Sequence, residues 1–379
     1  MNQRSSMRRT ITAIAVAALA ATMSPAVADT ETEPVHETYE HMQWGLDAVD
    51  VYGAWDAPGA PRGAGVTVAV IDDGFDIEHP EFTGRVHEDA ATWNCGTAPA
   101  PCPLDDSPSR HGVHVAGIIA AARDGAGTVG VAPEATVMPL VMPFDGAEAI
   151  LTVPEMVRYA VDHGADIING SIGAGPALPG IGPAENGVAL AAGWREAFQY
   201  AIDRGVLVVM AAGNEWGPTC INELANIGEI LCVGSLTRNG QVPLYSNYGV
   251  GLDLVAPGGG ADPGAFGGSD VQNCLDGVLS AYSEEYSDQP NCADDIFGTP
   301  VPPYGFMTGT SQATPHVAGV AALLVGQGLT PLEAGERILA TTDDLLVGGW
   351  DARTGHGALN AHRAVIDDRN PDSSIVTIG

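Results

Sequence analysis

Residues 309–324 read GTSQATPHVAGVAALL. A glycine turn delivers Ser311 to the start of a helix, in which Val317, Val320, Ala321 and Leu324 recur at three- and four-residue spacing, the mark of one buried face. A serine there sits among the free N–H groups and the positive end of the helix dipole. Its hydroxyl can attack a carbonyl while its own N–H helps hold the oxyanion that forms. The alternative is a plain N-cap serine, and Pro315, about one turn in, fits either reading. Other parts of the chain have to decide between them.

Upstream, residues 66–71 (VTVAVI) form a continuous β-branched run, as expected of a buried parallel strand, and end in Asp72-Asp73-Gly74. Sites in open parallel sheets lie at the carboxyl ends of strands. Successive side chains of a strand face opposite ways, so only one of Asp72 and Asp73 is expected to face a partner; the residues alone leave the two even. In HGVHVAG (111–117) a helix is expected to begin near His111, with Val115, Ile118, Ile119 and Ala122 on its buried face. A strand is expected over 136–142, a helix over 153–163, a strand over 166–172, a helix over 190–204 and a strand over 206–211. Repeated βα units predict an α/β fold, a doubly wound and mostly parallel sheet with helices on both faces. Two of its strand ends carry candidate groups. Ser171-Ile172-Gly173 is either a glycine turn or an edge able to pair with an extended peptide. In AAGNE (211–215) the Asn214 amide could donate to an oxyanion, although Gly-Asn after a strand is commonly just a turn.

Charge is lopsided, 15 basic against 47 acidic residues for a net −32, and every basic residue is arginine. Such a surface repels nucleic acid and anionic membranes, which argues against a nucleic-acid role. Residues 1–28 have the form of a secretory signal: Arg4, Arg8 and Arg9, an apolar run, then Ala26-Val27-Ala28. The mature chain is expected to be exported, without a membrane anchor once the signal is removed. Residues 29–43 read as a short acidic lead, and 368–379 as a polar tail. Six cysteines in an exported chain suggest three disulfides. The connectivity is open; nearest-neighbour pairing would join Cys95–Cys102, Cys220–Cys232 and Cys274–Cys292.

GTSQATPHVAG closely resembles the serine motif GTSMAxPHVAG of subtilisin-like serine proteases, with Gln312 in place of the methionine. The resemblance extends through five more segments. VIDDGFDIEHP (70–80) is similar to VIDxGxxxxHP and selects Asp72 over Asp73. HGVHVAG is similar to HGTHVAG, with Val113 for the threonine. Ser171–Gly173 and residues 211–215 resemble the family's SLG and AAGNE segments, and HGALNAHRAV (356–365) resembles its closing motif. The resemblance implies a catalytic domain over 44–367 carrying a Cys-containing insertion at 259–304. It implies a secreted, monomeric serine endopeptidase acting on polypeptides through a triad of Asp72, His111 and Ser311 and an acyl-enzyme. Asn214 would be the oxyanion donor, and Ser171, Ile172 and Gly173 would hold the substrate. No cofactor is implied for catalysis. A structural calcium is, on Glu40, Glu81 and Asp124, against the alternative that these are solvated surface acids. Most secreted relatives carry a much longer folding propeptide than this lead. The stapled insertion and the short lead leave room for a narrow-specificity processing protease, and an inactive binding protein on the same fold is a further alternative.

Overall fold

Apolar runs whose side chains alternate between two faces build the centre of the molecule. The computed structural model describes residues 37–59, 62–96, 100–104, 109–143, 146–172, 184–218, 230–260, 275–283, 303–346 and 348–370. Its strands are β1 (Thr67–Asp72), β2 (Ala91–Thr92), β3 (Cys102–Pro103), β4 (Thr136–Val141), β5 (Ile167–Gly170), β6 (Leu207–Ala211), β7 (Ile230–Leu236), β8 (Leu254–Pro257), β9 (Val278–Ala281) and β10 (Tyr304–Met307). Its helices are α1 (Trp44–Ala48), α2 (Val51–Asp56), α3 (Arg110–Ala120), α4 (Gly146–Asp162), α5 (Ala184–Ile202), α6 (Thr310–Gly326), α7 (Pro331–Ala340) and α8 (Ala361–Ile366).

Among the described residues eight strands form one sheet in the order β3-β2-β4-β1-β5-β6-β7-β8, parallel except for the β2–β3 pair. Val68 and Val70 of β1, Ile167 of β5 and Leu207 and Val209 of β6 join α3 and α6 in one core. Ala69, Ile71, Ile168, Val208 and Met210 face the other way, into a second core with α4 and α5. This is the period-two alternation of a sheet buried on both sides, and the doubly wound reading holds. No single helix among the described residues is long and apolar enough to cross a membrane.

Three elements differ from expectation, one of them helix α5, which starts at Ala184 rather than at 190. Helix α4 begins well before Val153 and holds Pro154 in its interior. The proline forfeits one intrahelical bond, while Val153, Met156 and Val157 are all buried on the sheet. The insertion also contains a strand: β9 pairs antiparallel with β10, Val278 opposite Met307. His114 of α3 ties that ribbon down through Nε2, 3.0 Å from the Val278 carbonyl and 3.1 Å from that of Gly305.

Cys95 and Cys102 are joined by a disulfide, linking the segment after β2 to the start of β3. Cys232 is also disulfide-bonded, its partner lying outside the described residues, as do Cys220, Cys274 and Cys292. Closing a loop of seven-residue separation restricts the unfolded chain, by an entropy worth about 2–3 kcal/mol. The C95A/C102A double variant is expected to lose about that much stability in urea unfolding; unchanged unfolding would show that the link constrains nothing.

Candidate active site

Three neighbouring strands end side by side. Ile71 is in register with Gly170, and Gly170 with Met210, so Asp72, Ser171 and the segment leading to Asn214 emerge along one edge of the sheet. Helix α6 starts at the same edge, its N-cap Gly309 donating its N–H to the Gly258 carbonyl at 2.9 Å.

Asp72 is buried, and its Oδ1 accepts from His111 Nδ1 at 2.7 Å and from the Asp73 N–H at 2.8 Å. His111 is held in place by the start of α3. The Ser109 hydroxyl caps that helix, accepting from the N–H groups of His111 at 3.0 Å and Gly112 at 3.3 Å, and it donates to the Asp73 carboxylate. Both aspartates therefore serve the same helix end, Asp72 on the imidazole and Asp73 on the cap. A Cβ on Gly112 would lie 2.0 Å from the Gly74 carbonyl oxygen and 3.1 Å from Asp72 Cβ. Only glycine lets α3 approach this closely.

Burial acts on both members of the pair and opposes the charge on each. For Asp72 burial pushes the carboxyl above its ordinary range, against the pull of His111 beside it. For His111 burial works downward, but the Asp72 carboxylate and its hydrogen bond outweigh it and lift the imidazole above its usual value. Asp72, Asp73 and His111 also bring three ligand-type atoms within 4.8 Å of one another. Because Nδ1 already donates to Asp72, it has no lone pair to offer a cation there.

Ser311, in the first turn of α6, and Ser171, just past β5, are locked reciprocally. Ser311 Oγ donates to the Ser171 carbonyl at 3.0 Å, and Ser171 Oγ donates to the Ser311 carbonyl at 2.8 Å. Among the described residues no hydrogen bond joins Ser311 Oγ to the His111 ring. Asn214 Oδ1 accepts from the Thr310 N–H at 2.9 Å and the Thr310 hydroxyl at 3.0 Å. With its oxygen engaged, the amide keeps Nδ2 as a donor that bonds to no described residue. The following loop is braced by Asn247, whose Oδ1 accepts from the N–H groups of Glu215 and Gly217 and whose Nδ2 donates to the Ala212 carbonyl. Ile172 adjoins this edge, and Gly173 lies outside the described residues. Ser109 and Asn247 were missed by the motif reading, and Thr310 was read only as part of the serine motif; Ser109, as an N-cap before a helix, also carried a local signal.

The acids expected to hold a metal, Glu40, Glu81 and Asp124, are linked through Glu37, which feels the charge of both Asp124 and Glu40. Glu81 is buried, and its Oε1 accepts from the Thr128 N–H at 2.9 Å. Burial pushes its carboxyl up to about 7, against the hydrogen bonds from the Thr128 N–H and the Tyr304 hydroxyl, with smaller upward contributions from the nearby Asp124 and Glu37. Glu37 Oε2 accepts from the Gly125 N–H at 2.7 Å, while its Oε1 is buried with no partner among the described residues. Glu40 instead accepts from the Glu37 N–H at 3.0 Å and hydrogen-bonds the Tyr52 hydroxyl. Glu37, which the sequence reading passed over, therefore stands with Glu81 and Asp124.

The model of the subtilase family matches residues 63–357. The chain belongs to that family. It is 30% identical over 329 residues to a thermophilic serine proteinase of Bacillus sp. (strain AK1), covering 86% of this chain and 68% of the relative. It is 29% identical over 332 residues to thermitase of Thermoactinomyces vulgaris, covering 86% and 97%. Among solved structures, a protease from Pseudoalteromonas arctica PAMC 21717 superposes with a TM-score of 0.68 at 26% identity, covering 88% of this chain and 99% of that one. A lanthipeptide protease gives the same TM-score and identity, covering 86% and 94%. This subtilase is a serine endopeptidase that hydrolyses polypeptides, and the family requires no cofactor for catalysis.

The 2.7 Å bond to Asp72 makes a prediction that does not depend on assigning a catalytic role. Because the carboxylate favours the protonated imidazole, the Asp72→Asn variant should lower the pKa of His111, read by NMR of its ring protons. An unchanged or higher value would mean that the pair is not coupled as described.

Proposed function

We propose that Asp72, His111 and Ser311 form the catalytic triad of this endopeptidase and that Asn214 is its oxyanion donor. The observation that carries the reading is the 2.7 Å bond from His111 Nδ1 to the buried Asp72, because it fixes the tautomer that leaves Nε2 as the base. On substrate binding the Ser311 hydroxyl turns from the Ser171 carbonyl toward His111 and attacks the scissile carbonyl as its proton passes to Nε2. Asp72 stabilises the imidazolium. The Ser311 N–H and Asn214 Nδ2 receive the oxyanion. His111 then protonates the leaving amine, and water releases the acyl group by the same steps. The edge at Ser171, Ile172 and Gly173 holds the extended substrate through its backbone.

A fluorophosphonate should label the purified protein at Ser311, and Ser311→Ala should abolish both labelling and peptidase activity. The Asn214→Ala variant should keep KM while kcat falls by about 100- to 1,000-fold. His111 must be neutral to act as base, and Asp72 raises its pKa above the ordinary 6.5. The acid limb of kcat/KM should therefore be half-maximal above that value. Labelling that survives Ser311→Ala, or a rate flat from about pH 5 to 9, would overturn the assignment.

We further propose that the protein is exported, that the catalytic unit spans 44–367 as a monomer, and that a structural calcium binds near the N-terminal edge. Beyond the larger effect of burial, Asp124 lies near enough to both Glu37 and Glu81 to act upward on their pKa values. The buried Glu37 Oε1 without a partner among the described residues supports a hard cation drawing the three together, since oxygen ligands suit calcium. Glu40, bonded to Tyr52, supports the cluster from behind. The ion would brace the loop at 124–128 and take no part in the reaction. Chelation should lower the melting temperature by about 5 °C, restored by calcium. An unchanged melting temperature with and without chelator would remove the ion from the account.

A further inference from the structure

Helix α6 contains a proline one turn after the nucleophile, and its consequence falls on Ser311. In an uninterrupted helix the N–H of residue 315 would donate to the Ser311 carbonyl, but Pro315 has none. The vacant acceptor is taken from outside the helix by Ser171 Oγ, at 2.8 Å. That hydroxyl has one proton and has spent it, so it accepts from its other neighbour: Asn169 Nδ2 donates to it at 3.0 Å. The three groups form a directed chain from the amide through the hydroxyl to the backbone of Ser311.

We propose that Asn169 is a positioning residue for the nucleophile, acting through the Ser171 hydroxyl on the Ser311 carbonyl. The proposal rests on Ser311 being the nucleophile. Asn169 lies inside β5, in register with Val70 on one side and Val209 on the other, and is fully buried. An amide among valines is costly unless its hydrogen bonds are made, and its Oδ1 finds no partner among the described residues. The bond it does make aims the Ser171 hydroxyl. Without it that hydroxyl can rotate away, leaving the Ser311 carbonyl without a donor and the first turn of α6 free to shift. That turn carries both the Ser311 hydroxyl and the N–H assigned to the oxyanion.

The test compares full-length wild type, N169A, S171A, S171T and the N169A/S171A double variant on a peptide substrate, with active sites titrated by fluorophosphonate. The relay predicts kcat per titrated site about 10- to 100-fold lower in N169A and in S171A, KM within about twofold, and a double variant no slower than S171A. S171T keeps the hydroxyl and should retain most of the rate. A structural role alone would reduce the titratable fraction and leave kcat per site intact. Wild-type kcat per site in N169A, or losses that multiply in the double variant, would overturn the proposal. If N169A does not fold, equal losses in S171A and S171T would overturn it. Failure of the wild type to be labelled at Ser311 is a separate result, which would sink the nucleophile assignment itself.

Discussion

Helix α6 is buried through most of its length, and that burial constrains everything around the site. Val317, Ala318, Val320, Ala321 and Leu324 are inaccessible to solvent. A Cβ on Gly319 would come within 2.6 Å of Val131 Cβ. A helix packed this closely cannot slide, because cores at this density admit little displacement without clashes. Its N-terminus is therefore held at the carboxyl edge of the sheet, where β1, β5 and β6 end. The reciprocal bonds between Ser311 and Ser171 fix the remaining freedom. The dipole of a rigid helix then points its positive end at Ser311, where the proposed oxyanion would form.

The same edge shows how an acidic protein sets the charge of its site. With a net charge of −32, a buried carboxylate receives little help from distant groups, since these are mostly acidic and screened by salt. Asp72 is accommodated locally instead, by His111 and by the Asp73 N–H. The direction of the His111 shift follows from this pairing: the carboxylate that orients the ring also favours its protonated form. Orientation and basicity come from one contact, so neither can change without the other.

Much of this was legible in the sequence, for physical reasons. The β-branched run ending at Asp72 and the periodic helix after Ser311 announce buried elements, and alternating elements announce a parallel sheet. What the residues alone left even was Asp72 against Asp73, and the structure uses both, on the imidazole and on the helix cap. The relay from Asn169 could not be read, because Ser171 and Ser311 are 140 residues apart in the chain and serine carries no signal for a long-range partner. The place of Glu37 beside Glu81 was hidden for a related reason. Glu37 stands just before a short 3-10 turn at Glu40–Met42, and three-residue turns leave no periodicity to read. The strand β9 escaped because four residues amid glycine, proline and aspartate look like loop until a partner strand is found.

The most direct test of the account is a crystal structure of the fluorophosphonate adduct. Phosphorus is expected on Ser311 Oγ, with the phosphoryl oxygen about 3 Å from both Asn214 Nδ2 and the Ser311 N–H. His111 Nε2 should lie within hydrogen-bond reach of the adduct, with its Nδ1 still on Asp72. An adduct on another side chain, or a phosphoryl oxygen turned away from Asn214 toward solvent, would contradict it.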